Sequence, residues 1–530
     1  MVRLFCMPIW MLILAVLGHA DSYVRQPSVD VVRYEIVVEL TDTTKAIKGT
    51  ARIHILMRGE SVPGMWLDLD DMHVDRLLVE GAGRPFTHKK GRLSFEFGRN
   101  YSRNETAVVE VQYHGKPSKG ALLIRKNQYG RRVFFTDSWP DRARRWFPSI
   151  DHPSDKAAVD VTVIAPAKYD VVSNGRLAQN QLLPDGRELT RWREDTDIPT
   201  YSVAIGAAEF NIAPQAGYHG VSLAWYAFPQ DADRAAIKFS RTALALRLFS
   251  LLIGPYPFEK LAQVQAVIPW DGMENASVIF YAEASFKGNA VSEYPVPHEI
   301  AHQWFGNSVT IADWDHLWLS EGFATYFDAL FYEYLQGPER MRQIMAAGAK
   351  RLDEYKPARS TSIINLPATD PRRQLNPISY EKGAWILHML RGMLGDEKFF
   401  NGVRRYYRMH TGGSVSSEDF RKAMEWSSGA DLGAFFRQWL HQPGWPAYHV
   451  SWRWDDDARQ VECTVRQAQT TGLFDMPVEI AFSAEGWSET HPFRVSERMQ
   501  KFRFGLPSKP LSVEVDPGGW LLKSVSVVPE

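Results

Sequence analysis

The sequence predicts a multidomain α+β protein: an N-terminal antiparallel β-domain, a mostly helical middle and a small C-terminal β-sandwich. Apolar and polar residues alternate in short stretches from Val31 to about Ile212. Apolar positions recur every three or four residues from near Ala232, and short alternating stretches return after 444. Period-two alternation marks a strand with one buried face, and spacings of three and four mark a helix with one buried stripe. A chain of 530 residues also exceeds what one hydrophobic core supports.

The first 20 residues read as an export signal. Arg3 precedes an apolar run over 4–17, and Gly18-His19-Ala20 supplies small residues at the two positions a signal peptidase reads. The run is short for a membrane span and lacks a basic stop-transfer flank. A mature protein starting near Asp21, without stable membrane insertion, is expected. The β-domain is expected over 21–213. Segments 34–40, 51–55 and 159–163 partly alternate, and Gly81-Ala82-Gly83 and Pro184-Asp185-Gly186 separate strands. The middle domain is expected over 214–443, with helical patterning at 232–252, 297–306, 317–335, 338–355, 381–394, 397–410, 417–427 and 431–440. Gly337-Pro338 and Gly395-Asp396 are natural stops between these helices. Over 444–530, segments 448–452, 460–466 and 511–515 predict the closing sandwich.

Composition narrows the function. Apolar residues make up 45 % and charged residues 23 %, the balance of a folded soluble protein rather than a disordered or fibrous one. A net charge of −1 supplies no field for nucleic acid or an anionic membrane. Removal of the signal takes Cys6 and leaves Cys463 as the only cysteine of the expected mature chain, so no internal disulfide forms. An exported protein of this size without disulfides fits a bacterial envelope, and a periplasmic or secreted location is expected.

Residues 298–302 read His-Glu-Ile-Ala-His. On a helix, positions i and i+4 share a face, so His298 and His302 reach one metal ion from one side. Glu299 is rotated to a neighbouring position, from which it reaches a water on that metal without ligating it. A catalytic zinc site takes three protein ligands and keeps one position open. Glu321 is the candidate third ligand. A second helix begins near Leu317, and antiparallel packing returns its first turns to the metal. Alone, the five-residue match also describes two surface histidines, and a lone helical Glu is usually solvated. Their combination favours the ligand reading.

This stretch resembles the gluzincin aminopeptidases, the family of aminopeptidase N and the leukotriene-hydrolase enzymes. Their signature is H-E-x-x-H, eighteen residues, then E, and His298, Glu299, His302 and Glu321 satisfy it. Residues 314–322 are similar to the leukotriene-hydrolase branch, with Ser320 in place of the usual Asn. Gly272-Met273-Glu274-Asn275 resembles the end of the family's G-x-M-E-N loop and lies 24 residues before the zinc motif. The resemblance implies that this loop runs along the substrate backbone and that Glu274 binds the free α-amine. A partly desolvated carboxylate suits that task through charge-assisted hydrogen bonds. Tyr380-Glu381-Lys382-Gly383 is similar to the family's Y-x-K-G motif, which implies that Tyr380 donates to the oxyanion. With weaker similarity at 146–153 and 439–444, the likeness extends over roughly residues 30–450. There are two departures. Asp271 replaces the first Gly of the loop, and Asp137 stands where the family has a Gln lining the amine site. Both place extra acid there, and a cationic first side chain is expected to gain.

The resemblance therefore implies a thermolysin-like catalytic domain and a zinc aminopeptidase with one Zn2+ per chain. The expected substrates are peptides with a free N-terminus; nucleic acid is not an expected partner. Two rivals are a metallo-hydrolase of another small substrate, such as an epoxide, and a non-catalytic binding protein. Intact Glu299 and Tyr380 oppose the second, since a binding module needs neither.

Overall fold

The computed structural model describes residues 21–288, 291–364 and 370–530; the expected signal segment 1–20 lies outside them. The largest sheet has eight strands in the order Arg176–Leu182, Arg187–Pro199, Lys156–Pro166, Val29–Glu39, Ile47–Met57, Thr106–Gly115, Met72–Val79 and Ala82–Gly83. Alternation sets its register. Ala107, Val109, Val111 and Tyr113 are buried, while the residues between them are partly exposed. A slip by one residue would turn that apolar set to the other face.

Neighbouring strands are antiparallel except at the centre, where Val29–Glu39 runs parallel to Lys156–Pro166. That one pair departs from the expected antiparallel pattern, which the rest of the sheet follows. Parallel neighbours need a long crossover. Here the crossover includes a three-stranded sheet of Val62–Asp68, Arg92–Tyr101 and Phe86–Lys89, and two strands, Leu122–Lys126 and Arg132–Thr136, of a four-stranded one.

The middle region opens on a five-stranded sheet in the order Asn211–Tyr218, Val221–Ala227, Lys260–Ala266, Val278–Ala282 and Gly272–Met273. The expected join at 213/214 falls inside the first of these strands, which pairs with Val221–Ala227. Lys260–Ala266 and Val278–Ala282 are buried throughout. Val278–Ala282, covered on both faces, is an unbroken apolar run without alternation, which is why patterning misses it. Gly272–Met273 forms one edge of the sheet, with Gly272 opposite Tyr281 and Met273 opposite Phe280.

The periodic stretch 232–252 is two helices, Ala232–Lys238 and Thr242–Leu252, because the chain breaks to turn Lys238 and Phe239 into the core. Later come Trp318–Gln336, Pro338–Glu354, Gly383–Leu394, Asp396–His410, Ser417–Ser428 and Gly433–His441. The last region stacks two sheets. Phe482 and Phe493 of the three-stranded sheet meet Phe504 and Phe502 of the four-stranded one. Trp520 then stacks on the buried His388 of Gly383–Leu394, with ring centroids 4.6 Å apart.

Three buried lysines tie segments together through backbone carbonyls. Lys238 donates to Ser292 (2.9 Å) and Tyr294 (2.8 Å), Lys382 to Gln442 (2.9 Å) and Lys260 to Ser173. Among the described residues, no helix is long and apolar enough to cross a membrane.

Candidate active site

The helix Val296–Ala301 carries the motif, with Pro297 in its first turn, where a missing N–H is no loss. It is shorter than the expected 297–306, and His302 caps its C-terminus. His298 and His302 face each other, Nε2 to Nε2 at 3.1 Å. Trp318–Gln336 brings Glu321 Oε2 to 3.5 Å from His298 Nε2 and 3.3 Å from His302 Nε2. Ligand atoms of all three residues lie within 4.8 Å of one another. Behind this face, His302 Nδ1 is 3.1 Å from the Phe305 carbonyl oxygen and 3.0 Å from Ser320 Oγ. The carbonyl only accepts, so Nδ1 carries a hydrogen, which leaves Nε2 as the nitrogen available to ligate a metal.

Glu274, Glu299 and His302 form an overlapping set, again within 4.8 Å. Three carboxylates and two imidazoles therefore share one buried space. Burial pushes the Glu299 carboxyl well above its usual range and raises that of Glu274. Burial also opposes ionisation of Glu321, but the His302 and His298 rings outweigh it and hold that carboxyl low. His302 is disfavoured as a cation by burial, yet Glu321 and Glu274 pull its pKa upward. Among the described residues, Glu299 Oε2 and Glu321 Oε2 are buried and find no hydrogen-bond partner. Uncompensated acid, orphaned carboxylate oxygens and two opposed ring nitrogens fit a divalent cation, and His–His–Glu donors fit zinc.

The loop that begins at the sheet edge runs past this cluster. A Cβ on Gly272 would lie 2.2 Å from Glu299 Oε1, so only glycine leaves that carboxylate in place. Met273 and Asn275 are buried beside it. The Glu274 carbonyl accepts from Gln303 Nε2 (2.9 Å) and Asn307 Nδ2 (2.6 Å), and Gln303 Oε1 accepts from the Ser277 N–H (2.8 Å). The sequence reading missed Gln303 and Asn307. The available signal was two amides close behind the second histidine, where a polar side chain needs a buried partner.

Asp137 lies close enough to Glu274 to raise its pKa. It is 1 % exposed, forms an ion pair with Arg142 and accepts from Trp270 Nε1 at 3.3 Å. Arg142 offsets part of the charge that Asp137 brings to the site. Asp271 is exposed. Tyr380 sits on the widened helical turn Ile378–Lys382, its ring nearly parallel to that of His298 (7°) with centroids 6.1 Å apart. Burial, then the Glu321 and Glu274 carboxylates, push its phenol well above the usual value, so it keeps its proton as a donor.

A helix-borne His–His–Glu cluster with a carboxylate beside it, next to a sheet-edge loop, defines a gluzincin metallopeptidase scaffold. Residues 31–202 match the peptidase M1 N-terminal domain, and residues 243–439 match the peptidase family M1 domain. The chain belongs to peptidase family M1. It is 27 % identical over 466 residues to glutamyl aminopeptidase of Bos taurus, covering 79 % of this chain and 47 % of that protein. It is 30 % identical over 447 residues to aminopeptidase 2, mitochondrial, of Saccharomyces cerevisiae, covering 79 % and 46 %. Tricorn protease-interacting factor F2 of Thermoplasma acidophilum is 26 % identical over 445 residues, covering 79 % and 54 %. The chain thus spans about half the length of the curated relatives it matches.

Proposed function

We propose that the protein is a zinc-dependent aminopeptidase that releases the first residue of peptides with a free N-terminus. The observation that carries this reading is the closeness of Glu274 to Glu299 and His302, with ligand atoms within 4.8 Å. Consecutive Cα atoms are about 3.8 Å apart. An ammonium held by Glu274 therefore leaves room for about one residue before the reacting carbonyl. The aminopeptidase names of the bovine and yeast relatives support a peptide substrate.

His298, His302 and Glu321 would hold the ion, and zinc supplies Lewis-acid polarisation of water and carbonyl when bound. Glu299 takes a proton from the attacking water onto its carboxylate and delivers it to the leaving amine nitrogen. Tyr380 donates its hydroxyl hydrogen to the developing oxyanion. Glu274 pairs with the α-ammonium, and the sheet-edge strand Gly272–Met273 offers backbone groups to an extended substrate.

Hydrolysis of unblocked aminoacyl substrates, lost with chelator and restored by zinc, is the expected result. Cleavage of N-acetylated peptides would indicate an endopeptidase. Activity on epoxides alone would favour the rival hydrolase, and no chelator-sensitive activity on any substrate would favour a binding module. A bacterial-envelope location rests on the Arg3 and apolar 4–17 pattern together with the single cysteine of the expected mature chain. N-terminal sequencing of the exported protein should begin near Asp21.

A further inference from the structure

Two glycines, one beside each half of the site, touch backbone to backbone. Gly322 follows Glu321 directly, and Gly383 follows Tyr380 by three residues. A Cβ on Gly322 would lie 2.8 Å from both the Cα and the carbonyl carbon of Gly383 and 3.2 Å from the Ala384 nitrogen. A Cβ on Gly383 would lie 2.9 Å from Gly322 Cα. Both are buried, and neither has a positive φ. Gly322 lies in the fifth position of Trp318–Gln336, where glycine is about 1 kcal/mol worse than alanine. Backbone conformation gives no reason for that cost; close approach does. Helices ordinarily pack 8–10 Å apart, the spacing set by the side chains between them.

We infer that the Gly322–Gly383 contact is a positioning device that fixes the separation between Glu321 and Tyr380. The inference rests on the aminopeptidase reading for the role of Tyr380. Trp318–Gln336 carries Glu321, while Gly383–Leu394 continues directly from the turn that carries Tyr380. A methyl group at either glycine acts as a wedge at the point where the two elements meet. The Tyr380 hydroxyl then moves relative to the metal-ligand set. A displacement of about 1 Å near reacting atoms costs roughly 10²-fold in rate.

The test combines Gly383→Ala with Tyr380→Phe. If the glycine acts through the tyrosine, Gly383→Ala lowers kcat by roughly 10²-fold with KM held within about threefold, and adds less than about threefold in the Tyr380→Phe background. Equal fold-losses in both backgrounds would overturn the inference and leave Gly383 a packing residue. Gly322→Ala is read by zinc retention against a chelator, with a loss of about tenfold or more expected for a displaced ligand. Unchanged retention would overturn the link to Glu321. Should Gly322→Ala fail to fold, Gly383→Ala decides alone, because its wedge meets only one backbone atom inside 3.0 Å. A wild-type protein that binds zinc but cleaves no aminoacyl substrate would sink the function instead. The contact is then judged by zinc retention in Gly322→Ala, with about tenfold loss supporting it and no loss overturning it.

Discussion

Replacing Glu274 with Gln removes one charge while keeping the shape of the side chain. The loop should stay in place, since Gln303 and Asn307 hold it through the Glu274 carbonyl rather than the carboxylate. Glu274 is 7 % exposed, so the interior dielectric governs its pairing. An ammonium–carboxylate pair at about 4 Å is worth about 4 kcal/mol at an effective dielectric near 20. The amide recovers part of this through one hydrogen bond worth about 1 kcal/mol. A net loss of about 2–3 kcal/mol corresponds to roughly 30- to 150-fold in kcat/KM. A buried pair is weakly screened, so the deficit should persist at high salt. The assay is kcat/KM for an unblocked aminoacyl anilide at two ionic strengths, with zinc content measured on the same samples. A loss below about threefold, or one that vanishes with salt, would refute the amine-binding role.

Glu299→Gln should retain zinc and lose roughly 10²–10⁴-fold in kcat, as expected for a missing general base; near-normal turnover in zinc-loaded protein would remove it from the mechanism. His298→Ala should abolish tight zinc binding, and metal analysis showing about one equivalent would overturn the ligand assignment. Ser320→Ala removes the hydroxyl 3.0 Å from His302 Nδ1 and should weaken zinc binding by about 10-fold, measured by chelator competition; unchanged affinity means the Phe305 carbonyl suffices. Asp271→Gly should narrow the preference for Arg over Glu as first residue. Arg142 offsets part of the Asp137 charge, so Asp271 is the residue tested, and an unchanged ratio would leave it a turn residue.

Much of the site was legible because its chemistry is local in sequence. His298, Glu299 and His302 follow from helical spacing, and Glu321 from the need for a third ligand. The surroundings were less legible because they are made by distant segments. Arg142 offsets Asp137 within one turn of chain, yet nothing in 137–142 distinguishes that pair from surface charges. Gly322 and Gly383 read as ordinary small residues until two helices are laid against each other. The fold shows the same division. Half-buried strands such as Ile47–Met57 announced themselves by alternation over 51–55, whereas Val278–Ala282, an apolar run covered on both faces, did not. The parallel pairing of Val29–Glu39 with Lys156–Pro166 depends on chain path and leaves no mark in either strand.

The buried lysines make folding a proton-releasing reaction. Burial pushes Lys260 and Lys382 down to about 7 and Lys238 to about 8, from 10.5. Between those values and 10.5 the unfolded chain holds protons that the native protein sheds. Stability linked to each lysine therefore rises with pH across that window, by up to about 1.4 kcal/mol per pH unit, and levels off below it. In acid each ammonium must be buried, and the carboxylates near Lys238 and Lys260 offset that cost only in part. Lys238 grips Ser292 and Tyr294 just ahead of the His298–His302 helix, and Lys382 lies two residues beyond Tyr380. Mild acid thus strains the supports of the two halves of the site together, while mild alkali relieves them.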